Sequence, residues 1–161
     1  MNEGQSSSLL VRILCAALFL VLTLGSFAWF FISAAGLISQ FRIENPVVGF
    51  DKGSMYMLGG GLVLLSLTIG GTMQGVFGLE LTPKKTTFFS RGLLVSIVLM
   101  FTFPHMTHYV VDIYAHKKHY SVCNDATYRW LLYSKFYYTE SKTACEKLVS
   151  EKEIRKGSRG R

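Results

Sequence analysis

The sequence predicts an all-α membrane protein: three transmembrane helices followed by a small, disulfide-stapled C-terminal extramembrane subdomain. Three observations carry that expectation. Half of the 161 residues are apolar and only 17% are charged, and the apolar ones gather in three runs, each longer than the roughly 20 residues a helix needs to cross the hydrocarbon core. The charge collects at one end: from Ala115 onward eleven Lys and Arg face five Asp and Glu, so this stretch holds +6 of the net +7. The only cysteines outside the runs, Cys123 and Cys145, both fall in the same basic tail.

The first run extends from about Leu9 to Ile38, interrupted only by Arg12 near its start. Ser33-Ala34-Ala35 resembles a signal-peptide cleavage site, but a signal core is about 7–15 residues and this run is far longer. It is read as an uncleaved anchor with Arg12 where the helix enters the bilayer. Too few apolar residues precede Cys15 for a lipoprotein signal. The second run covers about Met55–Phe77 and the third about Phe88–Tyr114. Pro46, Gly49 and Gly53 mark a loop between the first two, and the short "GLELTPKKTTFFSR" joins the second to the third. Residues 1–114 are thus the expected membrane region, 115–156 the tail subdomain and 157–161 a disordered end.

Three spans place the termini on opposite sides. With the N-terminus inside, Arg12, Lys84, Lys85 and Arg91 are inner charges, whereas the first outer loop holds only Arg42 and Lys52, in accord with the positive-inside rule. Lys117 and Lys118 beyond the third span run against it. A Cys123–Cys145 disulfide, worth about 3 kcal/mol in the chain-entropy model, forms only in an oxidising compartment such as the periplasm. The expected topology is N-in, C-out in a bacterial inner membrane.

Span two is rich in small residues. Gly71 and Gly75 form a GxxxG spacing, and Ser66 and Gly70 repeat it one turn earlier. Small residues let helix backbones approach closely where lipid offers no hydrophobic drive for association. Ser66, Gly70, Gly71, Gln74 and Gly75 are therefore candidates for a packing face, used within the chain or by a partner's membrane helix, a second copy included.

All four histidines lie between Phe103 and Tyr120. At 100° per residue, His105, His108, Asp112, His116 and His119 fall within about 80° of arc. An ionisable group at mid-bilayer costs about 2.5–3.5 kcal/mol on insertion scales, so this face is expected to avoid lipid. Histidines at i and i+3 or i+4 with Asp112 make a candidate metal set. The other readings are a proton relay and the plain polar exit of span three, with Tyr109, Tyr114 and Tyr120 at the interface.

In the tail, Asn124 or Asp125 is placed to cap a short helix through Tyr133, with Trp130, Leu131 and Tyr133 as its apolar side. "KFYYT" reads as extended, and Thr143-Ala-Cys-Glu146 reads as a capping box for a helix to about Lys156. Trp130 is the candidate aromatic contact of this subdomain. No nucleophile elbow, phosphate loop, HExxH or CxxC is present, so neither an enzyme nor a cofactor is expected. The basic charge lacks a nucleic-acid recognition motif and suits anionic lipid headgroups or an acidic protein surface.

Three spans, the segment "CNDATYRWL" after the last of them, and a second cysteine shortly after "FYYT" resemble a family of small, uncharacterised enterobacterial inner-membrane proteins; Cys123, Trp130, Tyr137 and Cys145 carry the likeness. The build also resembles inner-membrane immunity proteins against membrane-targeting bacterial toxins. That resemblance implies direct neutralisation of a pore-forming toxin at the bilayer or its periplasmic face. The alternatives are a metal- or proton-responsive membrane protein using the histidine face, and an accessory subunit of a membrane complex.

Overall fold

The computed structural model describes residues 3–78, 82–130 and 133–159. Its elements run α1 (Glu3–Arg42), β1 (Val47–Asp51), α2 (Lys52–Gly71) prolonged by a π turn (Thr72–Val76), α3 (Pro83–Lys117), β2 (Ser121–Val122), β3 (Tyr128–Trp130), β4 (Tyr133–Thr139) and α4 (Lys142–Arg159). Three helices are long and apolar enough to cross a membrane: Leu9–Arg42, Lys52–Gly75 and Pro83–Lys117. Their most apolar windows are only 6%, 22% and 6% buried within the protein, which leaves their Leu, Val and Ile side chains for lipid to cover. α3 starts earlier than the apolar run because Thr82-Pro83 opens it; Pro fits the first helical position, where its missing N–H is not needed.

The chain divides into two compact units, Met1–Phe30 with Tyr56–Phe103, and Phe31–Met55 with Pro104–Arg161. Among the described residues the first holds helices and no strand. Its contacts are the small-residue kind that membrane helices favour: Thr23 and Thr68, both buried, meet across α1 and α2 at 3.5 Å, while each hydroxyl also donates to the carbonyl one turn back. Phe30 and Phe103 meet edge to face at 5.9 Å.

The second unit corrects the all-α expectation. It contains a four-stranded antiparallel sheet in which β4 is central, paired with β1 on one side and with β2 and β3 on the other. The stretch expected as a loop after span one supplies β1. Val48 and Phe50 alternate with half-buried neighbours and stand opposite Tyr138 and Phe136, so four large side chains share the face that meets α3. The helix expected from Asn124 to Tyr133 is absent. Asn124 instead begins a turn closed by Thr127 N–H to its carbonyl at 3.1 Å, and Tyr128–Trp130 pairs with Tyr133–Lys135; Leu131 lies outside the described residues. "KFYYT" is extended, as expected.

α4 covers the opposite face of the sheet. Its cap is Ser141, whose hydroxyl accepts from Ala144 N–H at 3.2 Å, two residues before the expected Thr143. The helix continues through Gly157 to Arg159, where a disordered end was expected. Lys152 lays its ammonium 3.4 Å from the Tyr137 ring centroid and donates to the Ala126 carbonyl at 2.6 Å. Cys123 and Cys145 stand at disulfide distance, with Cα atoms 5.6 Å apart. The outer edge of β1 is partly closed by Gln40, whose amide oxygen accepts from Gly49 N–H at 2.7 Å.

Both helices that lead into this unit end in the left-handed conformation. Glu44 has φ 53° after α1, and His119 has φ 64° after α3. Tyr120 N–H reaches the Ala115 carbonyl at 3.0 Å and His119 N–H the His116 carbonyl at 3.0 Å, the paired bonds of a Schellman motif with His119 at C′. A β-carbon there costs about 1 kcal/mol that glycine avoids. His119→Gly is therefore expected to raise the stability of this unit by about 1 kcal/mol, read as a higher midpoint in denaturant titration of the detergent-solubilised protein.

Candidate partner groove and histidine face

In the helical unit the small residues of span two divide into two sets. At Gly59 an added Cβ would collide with the Met100 backbone, and at Gly61 it would crowd Phe27, 3.1 Å away. These two glycines are occupied by the protein's own helices. Gly70, Gly71 and Gly75 have nothing within 4 Å of such a Cβ, so the GxxxG pair is not used for close packing inside this unit.

Two clefts flank this open end. One, of about 400 Å³, runs between α2 and α3 and is lined by Ser66, Gly70, Gly71 and Gln74 on one wall and by Phe89 and Ser90 on the other. The second, of about 230 Å³, lies between α1 and α2 and is lined by Arg12, Cys15, Gly71 and Gly75. Gly71 borders both. The π turn closes with Phe77 N–H on the Thr72 carbonyl at 3.1 Å and widens α2 at this point. Arg12 donates to the Gly75 carbonyl at 3.2 Å, placing its charge against the negative end of that helix. Gln74 is exposed and, among the described residues, its amide has no hydrogen-bond partner.

The histidine face belongs to the sheet unit and is distributed rather than pooled. His105 Nδ1 lies 3.2 Å from the Lys52 ammonium. His108 packs on Phe136 and Phe50, with ring centroids at 4.3 and 5.9 Å. His116 Nδ1 pairs with the Asp112 carbonyl at 2.8 Å and lies 3.7 Å from its carboxylate. His119 terminates the helix, so the fifth position of the expected stripe is not helical. Among the described residues no three of His, Cys, Asp and Glu gather closely enough to hold one ion. The geometry fits a scaffold, with His108 as the surface on which the β1–β4 pair rests.

Asp112 also receives the hydroxyl of Tyr138 at 3.4 Å. Tyr138 is fully buried, and burial, followed by the charge of Asp112 and that hydrogen bond, pushes its phenol well above the ordinary tyrosine value of 10. The folded state therefore keeps this proton after the unfolded chain has released it. Stability is unaffected below about pH 10 and falls as pH rises beyond that value. Tyr138→Phe is expected to flatten this alkaline loss, measured as the unfolding midpoint at pH 9 and pH 11.

Trp130 and Tyr128 are 64% and 53% exposed on β3, with Arg129 set 5.4 Å from the Phe136 ring. Gly53, at the start of α2, admits the Tyr133 ring where a Cβ would collide with it; this holds the β3–β4 hairpin beside the first residues of a helix long and apolar enough to cross a membrane. Sequence reasoning missed Phe50 and Phe136 as the partners of His108, although the alternation in "VVGFD" was a usable signal. It also missed Ser90, which only the α2–α3 pairing brings opposite Gly71. No protein-family model matches this chain, and no curated protein or solved structure matches it either.

Proposed function

We propose that the protein is an inner-membrane immunity protein that neutralises a pore-forming or membrane-targeting antibacterial toxin by direct binding. The observation that carries this reading is the open half of span two. Gly70, Gly71 and Gly75 leave backbone exposed beside a cleft with Ser66, Gln74 and Ser90, the surface that a second membrane helix packs against most closely. In the proposed topology the N-terminus is cytoplasmic and the sheet unit periplasmic. The cysteine pair at disulfide distance supports that side for the tail, and Tyr128 and Trp130 offer the toxin an aromatic contact of the kind enriched in interfaces. Occupation of the cleft by a toxin helix would keep that helix from assembling with its fellows.

The test is a challenge assay. Sensitive cells that express the protein and meet the product of a toxin gene neighbouring its own are expected to keep their membrane potential. Gly71→Leu should abolish protection while the protein still reaches the membrane, and His105→Ala should leave protection intact. Depolarisation at the rate of unprotected cells would refute the proposal.

A further inference from the structure

The sheet unit holds a second apolar groove, on the side where α1 and α3 end. It has a volume of about 510 Å³, is lined by Leu37, Phe41, Val110 and Tyr114, and carries two cations at its rim, Arg42 and Lys118. α1 ends at Arg42 and α3 at Lys117, and each is long and apolar enough to cross a membrane. Apolar walls at two helix ends with cations just beyond them are the pattern of a hydrocarbon edge meeting a headgroup layer. Val110, Ile38 and Tyr114 are exposed around it.

We propose that this groove binds one anionic phospholipid, with an acyl chain along Leu37 and Val110 and the phosphate between Arg42 and Lys118. Charge complementarity selects the occupant. Two cations over an apolar trough suit a phosphate with a hydrocarbon tail, whereas a neutral membrane helix would leave Arg42 without a counter-charge. Arg42 makes no hydrogen bond or ion pair among the described residues. Lys118 donates to Glu44 at 2.9 Å, an exposed pair in which each group holds the other in its charged form. Glu44 therefore competes with the phosphate for Lys118. The aromatic edges of Phe41 on Tyr114 and Tyr120, at 5.1 and 6.0 Å, keep the two helix ends at a fixed spacing.

Competition by Glu44 gives the test opposite signs at neighbouring residues. The full chain in neutral detergent is titrated with dioleoylphosphatidylglycerol or dioleoylphosphatidylcholine, and the retained lipid adduct is read by native mass spectrometry. The glycerol lipid is expected to be retained in preference to the choline lipid. Arg42→Gln should lower its retention about fivefold, the weight of one basic side chain near an acidic headgroup layer, and Glu44→Gln should raise it by freeing Lys118. Equal retention of the two lipids, no change in Arg42→Gln, or weaker retention in Glu44→Gln would each overturn the assignment.

Discussion

Gly59→Leu is expected to destabilise the helical unit by about 3 kcal/mol, the upper end for overpacking a filled site. The cause is geometric. A Cβ at Gly59 lands on the backbone of Met100, not on a flexible side-chain tip, so α2 and α3 must separate to admit it. Gly71→Ala, twelve residues along the same helix, should behave oppositely. Nothing lies within 4 Å of its Cβ, and replacing a helical glycine by alanine contributes up to about 1 kcal/mol. The comparison is read from midpoints of SDS-induced unfolding of the two variants. Equal losses at both positions would mean that the lower half of α2 is packed after all.

That contrast also marks where the sequence stops being informative. The spans were legible because a long charge-poor run has few alternatives to a membrane helix. Cys123 and Cys145 were legible because no other cysteine lies outside a span. The glycines of span two announced close approach, yet spacing alone cannot separate Gly59, which receives Met100, from Gly71, which receives nothing. The sheet was hidden for another reason. β1 has five residues and its partners in β4 lie some ninety positions away, Val47 opposite Thr139, so no local window contains the pairing. Trp130 and Tyr133 read as a helix side only because three apolar residues fall at helical spacing; pairing with Tyr133–Lys135 overrode that weak preference. In the histidine stripe the helical phase was right through His116, and the chain turned left-handed at His119.

Cys145→Ser is the second large effect, with an expected loss of about 3 kcal/mol in the sheet unit from freeing a loop of this length. Cys145 is half-buried and its partner Cys123 buried, and the pair links the turn after β2 to α4 and so holds α4 against the sheet. Lys152 and its contacts with Tyr137 and Ala126 depend on the same placement. Hydrogen exchange of β4 amides, expected to be slow in the parent protein because the central strand is paired on both sides, should accelerate in Cys145→Ser and in the parent treated with reductant. If β4 protection is unchanged in both, the staple does not hold the subdomain together. Thiol labelling in whole cells gives the compartment: the proposed topology requires Cys123 and Cys145 to resist alkylation until reduced from the periplasmic side.

The most direct test of the central claim, that the open end of span two receives a toxin helix, is site-specific photo-crosslinking in toxin-challenged, protected cells. Ser90→p-benzoylphenylalanine places the probe on the cleft wall opposite Gly71, and Val98→p-benzoylphenylalanine places it on an exposed apolar position of the same helix that does not line the cleft. The account predicts an adduct with the mass of the protein plus toxin from position 90 and none from position 98. Equal adducts from both positions, an adduct of two copies of this chain, or protection without any adduct from position 90 would contradict it.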